Sequence, residues 1–581
     1  MESSVAPSPS AAEQFLREAE ARLLELSIDS SRADWIHATY INGDTEALAS
    51  RAYGRLIAET VTLVRGASRF PAASLPPALA RQATLLRLSL PLIAPADRAA
   101  SEELTQTVAW MQGTYAKGTY QPSGRPEALD LQGLSRLLVT ERDPALLADV
   151  WKGWHAVARP MRPRFERYVS LANQGAREIG FADTGAMWRS KYDMPPDEFA
   201  EDVERVWQQV RPLYEAIHAY VRGRLLTRYG AELVPSDGPI PSHLLGNMWA
   251  QSWEHVLPLV APGQGGAGYD LTQILKARGT SAADMVRYAE RFFVSLGFET
   301  LPATFWERSM LAKPSDREVV CHASAWDLDF VDDVRIKMCI EATDEDFHVI
   351  HHELGHNYYQ LAYRRLPFLF RDSANDGFHE AVGDTIGLSV TPEYLVQVGL
   401  LDRAPDPAHD LGLLLRTALE KIAFLPFGYL VDLWRWKVFS GSIAPSEYNA
   451  TWWELKERYQ GVAPPGDRSE ADFDPGAKYH VAANVPYMRY FLAHVLQFQF
   501  HRALARIVDW KGPLHRCSIY GHRGAGDRLR EMLEMGASRP WPEALEALTG
   551  ERTVDATAMM EYFRPLIDWL ERENRDASIG W

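Results

Sequence analysis

Three cysteines in 581 residues cannot form a disulfide framework, so this chain has to be held together by a buried core. No window approaches the roughly 18 consecutive apolar residues that a membrane-spanning helix needs. A long basic run is also missing and the net charge is −16, which argues against nucleic-acid binding, because neutralising phosphates takes clustered Lys and Arg. There is no repeat of fixed period and no low-complexity tract, so solenoids and arrays are excluded. The N-terminus is small and polar and lacks the basic-then-apolar order of a secretion signal. Residues 1–11 are therefore expected to be a disordered lead-in, with any signal removed.

What is present is ordinary globular material: 46% hydrophobic side chains, 11% aromatic and 24% charged. Apolar residues recur at three- and four-residue intervals over Gln14 to Leu26, Val203 to Leu226, Ala282 to Leu296 and Met559 to Leu570, which predicts a mostly α fold. Breaks rich in Pro and Gly near Phe70 to Leu79, Val234 to Ser242, Pro258 to Gly268 and Ala463 to Gly476 read as loops. Around Val319 to Ile340, alternation of Val334, Ile336 and Met338 with charged residues predicts a short β element.

The chemistry concentrates in one segment. Thr343 to Leu366 reads as a helix capped by Thr343 or Asp344, with Glu345 and Asp346 at its positive end and Pro367 after its last turn. It contains His352-Glu353-Leu354-Gly355-His356. Four residues make about one turn, so both imidazoles leave the same face at a spacing that suits tetrahedral zinc. Glu353 stands where it can take a proton from water polarised by the metal. With 17 histidines, chance produces this pattern in roughly a few per cent of such chains. His348 has no Glu after it, and the residue four beyond His351 is Gly355, which cannot bind metal.

Hydrolytic zinc needs a third protein ligand and an open position. After the turn signal Asn375-Asp376-Gly377, a second helical stretch carries Glu380, 24 residues beyond His356, enough for one helix to end and another to return. Asp384, one turn on, is suited to hold a ligand imidazole. His379 reads as a packing histidine.

Long strings elsewhere carry a resemblance. The stretches from Pro239 to Gln251, Cys321 to Trp326, Gly377 to Ala381, Asp472 to Lys478 and Val485 to Phe491 are similar to those of the angiotensin-converting-enzyme family of zinc peptidyl-dipeptidases, and the likeness runs from about Ala12 to Trp581. It implies a helical ellipsoid of two intertwined subdomains around a deep central cleft, with a few short strands near the active site. Residues 12–581 would form this single catalytic domain. The implied activity is release of dipeptides from oligopeptides with a free C-terminus.

By this resemblance Tyr490 donates to the oxyanion, His480 and His322 hydrogen-bond substrate, and Ala323 offers backbone groups. Gln251, Lys478 and Tyr487 receive the terminal carboxylate, a sensible anion site on chemical grounds. Gln251 argues for dipeptide release, since a one-residue-removing relative has Arg there. Glu345, Val349, Glu420, Lys421, Phe424 and Phe427 match pocket positions, and His494 replaces a phenylalanine, which shifts specificity toward polar or acidic side chains. Chloride is implied at Tyr192 and Arg489. The family's second anion site is expected to be weak or empty, with His155 and Lys456 at its arginine positions beside Trp452.

Cys321 and Cys339 match a family disulfide, which points to a secreted or periplasmic protein rather than a cytoplasmic one. Cys517 is expected to be a free buried thiol, its family partner position being Ala505. A monomer or weak dimer is expected. The alternatives are a monocarboxypeptidase on the same scaffold and a non-catalytic receptor or scaffold.

Overall fold

The computed structural model describes residues 9–261 and 268–581, and they fold mainly as helices. The lead-in expected at 1–11 falls partly outside this range, but Pro9 already opens a helix that runs to Thr39, so order begins earlier than composition suggested. That helix packs on Gly43–Ala67, whose cap Asn42 accepts from the Asp44 and Thr45 amides at 2.9 Å each. The helices predicted over 203–226 and 282–296 appear as Pro196–Tyr229 and Ala282–Ser295. The stretch 559–570 is not one helix. It divides into Thr557–Tyr562 and Arg564–Glu573, because Pro565 has no amide to donate and starts a new helix after Phe563.

Strands are few and short. Thr119–Tyr120 pairs with Leu129–Asp130, and Ile240–Pro241 lies parallel to Val462–Ala463. The β element expected within 319–340 is an antiparallel hairpin, with Ser324 opposite Lys337 and Asp327 opposite Val334. Val334 and Ile336 are buried as their alternation predicted, but Lys337 is buried too, because the hairpin is covered on both faces.

Three helices carry the centre of the molecule. Asp376–Leu388 packs against Asp344–Tyr363 on one side and Met488–Ile507 on another. The last of these buries Phe491, Leu492, Val495, Leu496, Phe498 and Phe500 together with Gln497, Gln499, His501 and Arg502, and is enclosed nearly all round. Ala423–Phe439 is similarly enclosed and enters through a π turn, Ala418–Ile422, where the Leu419 carbonyl accepts the Trp253 amide at 2.8 Å. A second π turn spans Lys456–Gln460. Such turns widen a helix by one residue and re-aim side chains. Here they present Lys421 and Lys456 inward.

Candidate metal centre and its surroundings

Thr343 is the cap that the sequence left open between two residues: its hydroxyl accepts the Asp346 amide at 3.1 Å, and the helix runs Asp344–Tyr363, ending three residues short of Leu366. Asn375 caps the next helix, so Asp376 and Gly377, expected in a turn, already belong to it. The two helices cross at glycines. A Cβ on Gly355 would lie 2.8 Å from the Gly383 Cα, and one on Gly383 would lie 2.7 Å from His352 Nδ1. Only hydrogen fits at this crossing.

Close approach brings the ligand set together. His352 Nε2 lies 3.0 Å from His356 Nε2 and 3.5 Å from a Glu380 carboxylate oxygen. Among the described residues, this trio alone gathers three such donors within 4.8 Å of one another. Asp384 sits 3.2 Å from His352 Nδ1, which fixes that proton on Nδ1 and leaves Nε2 as a lone pair. His356 is held likewise, its Nδ1 being 3.2 Å from His379 Nδ1, while His379 Nε2 is 3.2 Å from the Tyr363 hydroxyl. Two nitrogen lone pairs and a carboxylate aimed at one point repel each other unless a cation lies between them. The donors fit zinc.

Without a metal, that cation is a proton. Burial lowers the His352 pKa, but the hydrogen bonds it donates to Asp384 and Glu380 outweigh that and push it up to about 10. His356, buried beside it, drops to about 3. Glu380 is held down at about 2: burial raises it, and the His352 contact and the charge of His356 overcome that. Lys421 neutralises Asp384 from 3.3 Å and also meets Glu420 at 3.3 Å.

Glu353 is buried, which raises its pKa; His352 opposes that shift, Glu380 adds to it, and the nearby Ala325 amide lowers it slightly. The hairpin strand therefore lies beside the helix that carries the candidate base. Cys321 and Cys339 are bonded, with Cα atoms 5.0 Å apart, at the foot of this hairpin, and Cys517 is free and buried. His322 is exposed, with Nδ1 2.9 Å from the Ala323 carbonyl, and its charge acts on Glu353. Tyr490 stacks edge-on with His480 at 5.6 Å and with Tyr487 at 5.0 Å, and its hydroxyl feels the Glu380 charge. His480 is neutral: burial, with Lys478 and Arg435 nearby, lowers it to about 2.

Gln251, Lys478 and Tyr487 also meet. Gln251 Oε1 accepts from Lys478 Nζ at 2.6 Å and from the Tyr487 hydroxyl at 3.4 Å. The ammonium lies over the Trp249, Tyr487 and Phe427 rings, at 4.1, 5.3 and 5.5 Å. Burial alone lowers its pKa to about 7. Phe424 stacks on His494 at 4.6 Å, close to Lys421 and Glu420, and Glu345 shares an acidic group with Glu420 and Glu254. Val349 lies partly buried on the same helix as the two ligand histidines.

Of the two expected anion sites, the first brings Arg489 and Tyr192 together beside a protein carboxylate: Asp376 lies 3.4 Å from Arg489 and 3.9 Å from Lys191, and its charge acts on the Tyr192 hydroxyl. At the other, His155 stacks on Trp151 at 3.6 Å, and burial holds it neutral with a pKa near 4. Lys456 donates to the Trp249 carbonyl at 2.8 Å. Of the two positions, only the lysine can carry charge there.

Sequence reasoning passed over two residues. His379, read as packing, orients the ligand His356. Lys337 donates to the Val320 and His322 carbonyls at 2.8 and 2.6 Å, and its charge reaches Glu353. The adjacency of His379 to Glu380 was the available signal for the first; for the second there was none.

A family model described as angiotensin-converting enzyme matches residues 6–581. The chain is 42% identical to the bovine angiotensin-converting enzyme over 582 residues, covering 98% of this chain and 44% of that protein. It is 49% identical to the rat enzyme over 454 residues, 77% of this chain and 34% of that one. The enzyme of Theromyzon tessulatum is 46% identical over 454 residues, 78% and 73% of the two chains. The chain thus spans less than half the length of the mammalian relatives it matches.

Proposed function

Because this chain belongs to the angiotensin-converting-enzyme family, we propose that it is a zinc peptidyl-dipeptidase that releases dipeptides from the free C-terminus of oligopeptides. The observation that carries the reading is the convergence of His352, His356 and Glu380 beside the buried carboxylate of Glu353. Those three side chains would hold the ion. When bound, it supplies Lewis acidity, polarising a substrate carbonyl and acidifying water.

The remaining work falls to the chain. Glu353, its pKa raised by burial, accepts a proton from the attacking water and returns it to the leaving amine. Tyr490 keeps its proton, since burial raises its pKa, and donates to the oxyanion as charge develops. His480 and His322 hydrogen-bond the peptide near the scissile bond, and Ala323 aligns an extended substrate against the hairpin. Lys478, Gln251 and Tyr487 bind the terminal carboxylate. Gln251, which accepts from Lys478 and stands where a one-residue-removing relative has Arg, favours dipeptide release. His494, standing where the family has a phenylalanine, favours a polar or acidic last side chain.

The proposed architecture is two intertwined subdomains about that cleft. The Cys321–Cys339 disulfide supports an oxidising, extracytoplasmic location, and among the described residues no helix is long and apolar enough to cross a membrane. Incubation of the zinc-loaded protein with an N-blocked tripeptide tests the reading by mass spectrometry. A C-terminal dipeptide is expected, and a chelator should abolish it. A free C-terminal amino acid would make it a monocarboxypeptidase, and no cleavage at all would make it a scaffold.

A further inference from the structure

The backbone that carries Gln251 is held from behind by a chain of contacts that runs to Trp581. Ala250, immediately before Gln251, has a φ of +52°, the left-handed conformation that a side chain resists. Its carbonyl accepts from the Trp253 indole and from Gln460 Nε2, each at 3.0 Å. One residue earlier, the Trp249 carbonyl accepts from Lys456 Nζ at 2.8 Å. Lys456 and Gln460 are the first and last residues of one π turn, so that turn fixes both the segment of Gln251 and the Trp249 ring beside Lys478. Gly461 closes the turn with a φ of +61°, and its carbonyl accepts from His218 Nε2 and the Ile240 amide at 2.8 Å each. The Trp581 indole covers Gly461 so closely that an added Cβ would lie 2.4 Å from the ring. The indole also meets the His218 ring at 4.7 Å and Tyr214 edge-on at 6.0 Å, and the Tyr214 hydroxyl donates to the Gln460 carbonyl at 2.6 Å. Buried Arg222 ties down the residues before the indole, donating to the Ser578 and Gly580 carbonyls and, at 3.1 Å, to that of Gly238.

We propose that Trp581 is a positioning residue for the terminal-carboxylate site, wedging the π turn Lys456–Gln460 against residues 249–251 and so holding Gln251 on Lys478. This rests on the peptidase reading above. Every link is a direct contact: the indole on Gly461, Gln460 on Ala250, Lys456 on Trp249, and Gln251 on Lys478. Packed side chains and hydrogen bonds of this kind pass a displacement onward, because a close-packed interior yields little. Ala250 is where the displacement tells. Its left-handed backbone persists only while its surroundings impose it, and Gln251 moves with it once the Gln460 contact slackens. None of these links includes His352, His356, Glu380 or Glu353. Loss of the indole therefore weakens the hold on the substrate's end, which is shared by ground and transition states, and spares the chemistry.

The test compares the zinc-loaded protein with Trp581→Ala and Trp581→Phe, and uses Trp581→Leu in place of the alanine variant if that one folds poorly. Two quantities are read: hydrolysis of N-blocked tripeptides ending in a free acid or an amide, and amide hydrogen exchange over residues 247–253. In Trp581→Ala, KM for the free-acid peptide should rise about tenfold with kcat within about twofold, and the amidated peptide should be unaffected, a split that general loosening would not give. Trp581→Phe keeps a ring over Gly461 and should stay within about threefold of the unmodified protein. Exchange over 247–253 should quicken about tenfold in the alanine variant while that over 352–356 is unchanged. Equal losses on free-acid and amidated peptides, a fall in kcat alone, or unchanged exchange over 247–253 overturns the proposal. Absence of any peptidase activity would instead remove the functional reading, and the exchange comparison would still decide whether Trp581 holds that segment.

Discussion

Two buried charged regions lie close to the candidate active site and are built on opposite rules. Around His352 every charge has a counterpart: Asp384 faces both the imidazole and Lys421, Lys421 also meets Glu420, and Glu380 faces the histidine pair. Around Lys478 there is no carboxylate partner among the described residues, only an amide oxygen and the rings of Trp249, Phe427 and Tyr487, and burial alone brings its pKa to about 7. A balanced network holds its own parts in place; an unbalanced buried cation is costly and marks where a ligand brings the missing charge. The first region suits a resident metal and the second a substrate carboxylate.

The largest expected effect breaks the chemistry and leaves both regions standing. Glu353→Gln should lower kcat by about 10²- to 10⁴-fold with zinc content unchanged, measured by tripeptide hydrolysis and metal analysis. Unbalancing the first region comes next. Asp384→Asn releases the His352 imidazole and should weaken zinc binding about 10- to 100-fold, read from competition with a chelator. Gly383→Ala should act in the same direction by pressing on that ring.

Removing the lone cation gives the complementary result. Lys478→Met should lower kcat/KM for free-acid peptides by about 10²-fold, the order expected for hydrogen bonds to a charged group, and should leave C-terminally amidated peptides unchanged. Its pH signature has a definite sign. Unfolded, the lysine keeps its proton to about 10.4. Folded, it releases it near 7. The unfolded state therefore binds more protons between these values, and this residue contributes a destabilisation that fades as pH rises from about 7 toward 10. Urea midpoints at pH 7 and pH 9 should show a smaller rise in the variant than in the unmodified protein. The smallest effect concerns selectivity: His494→Phe should change the preference for the last residue severalfold, away from acidic side chains, in competition between two tripeptides.

The sequence made some of this legible because local rules suffice for it. His352 and His356 follow from one helical turn, and Glu380 and Asp384 from the length needed for a second helix to return. Other features depend on what the fold lays beside them. Lys337 alternates like an exposed strand residue, yet its hairpin is covered on both faces. The π turns carrying Lys421 and Lys456 have no compositional mark. His379 became an orienting partner because two helices cross at Gly355 and Gly383, an approach that helical periodicity does not register. Asp376 looked like part of a turn, and its pairing with Arg489 joins segments far apart in the chain. The carboxylate-binding residues were found through resemblance, because nothing in the spacing of Gln251, Lys478 and Tyr487 brings them together before folding.

The most direct measurement is zinc-edge anomalous diffraction from crystals grown with the metal and a dipeptide product. One anomalous peak should lie among His352 Nε2, His356 Nε2 and the Glu380 carboxylate, with the terminal carboxylate of the dipeptide on Lys478. A peak that omits Glu380, or a dipeptide whose carboxylate lies away from Lys478, would contradict the division between a self-balanced centre and a cation awaiting its partner.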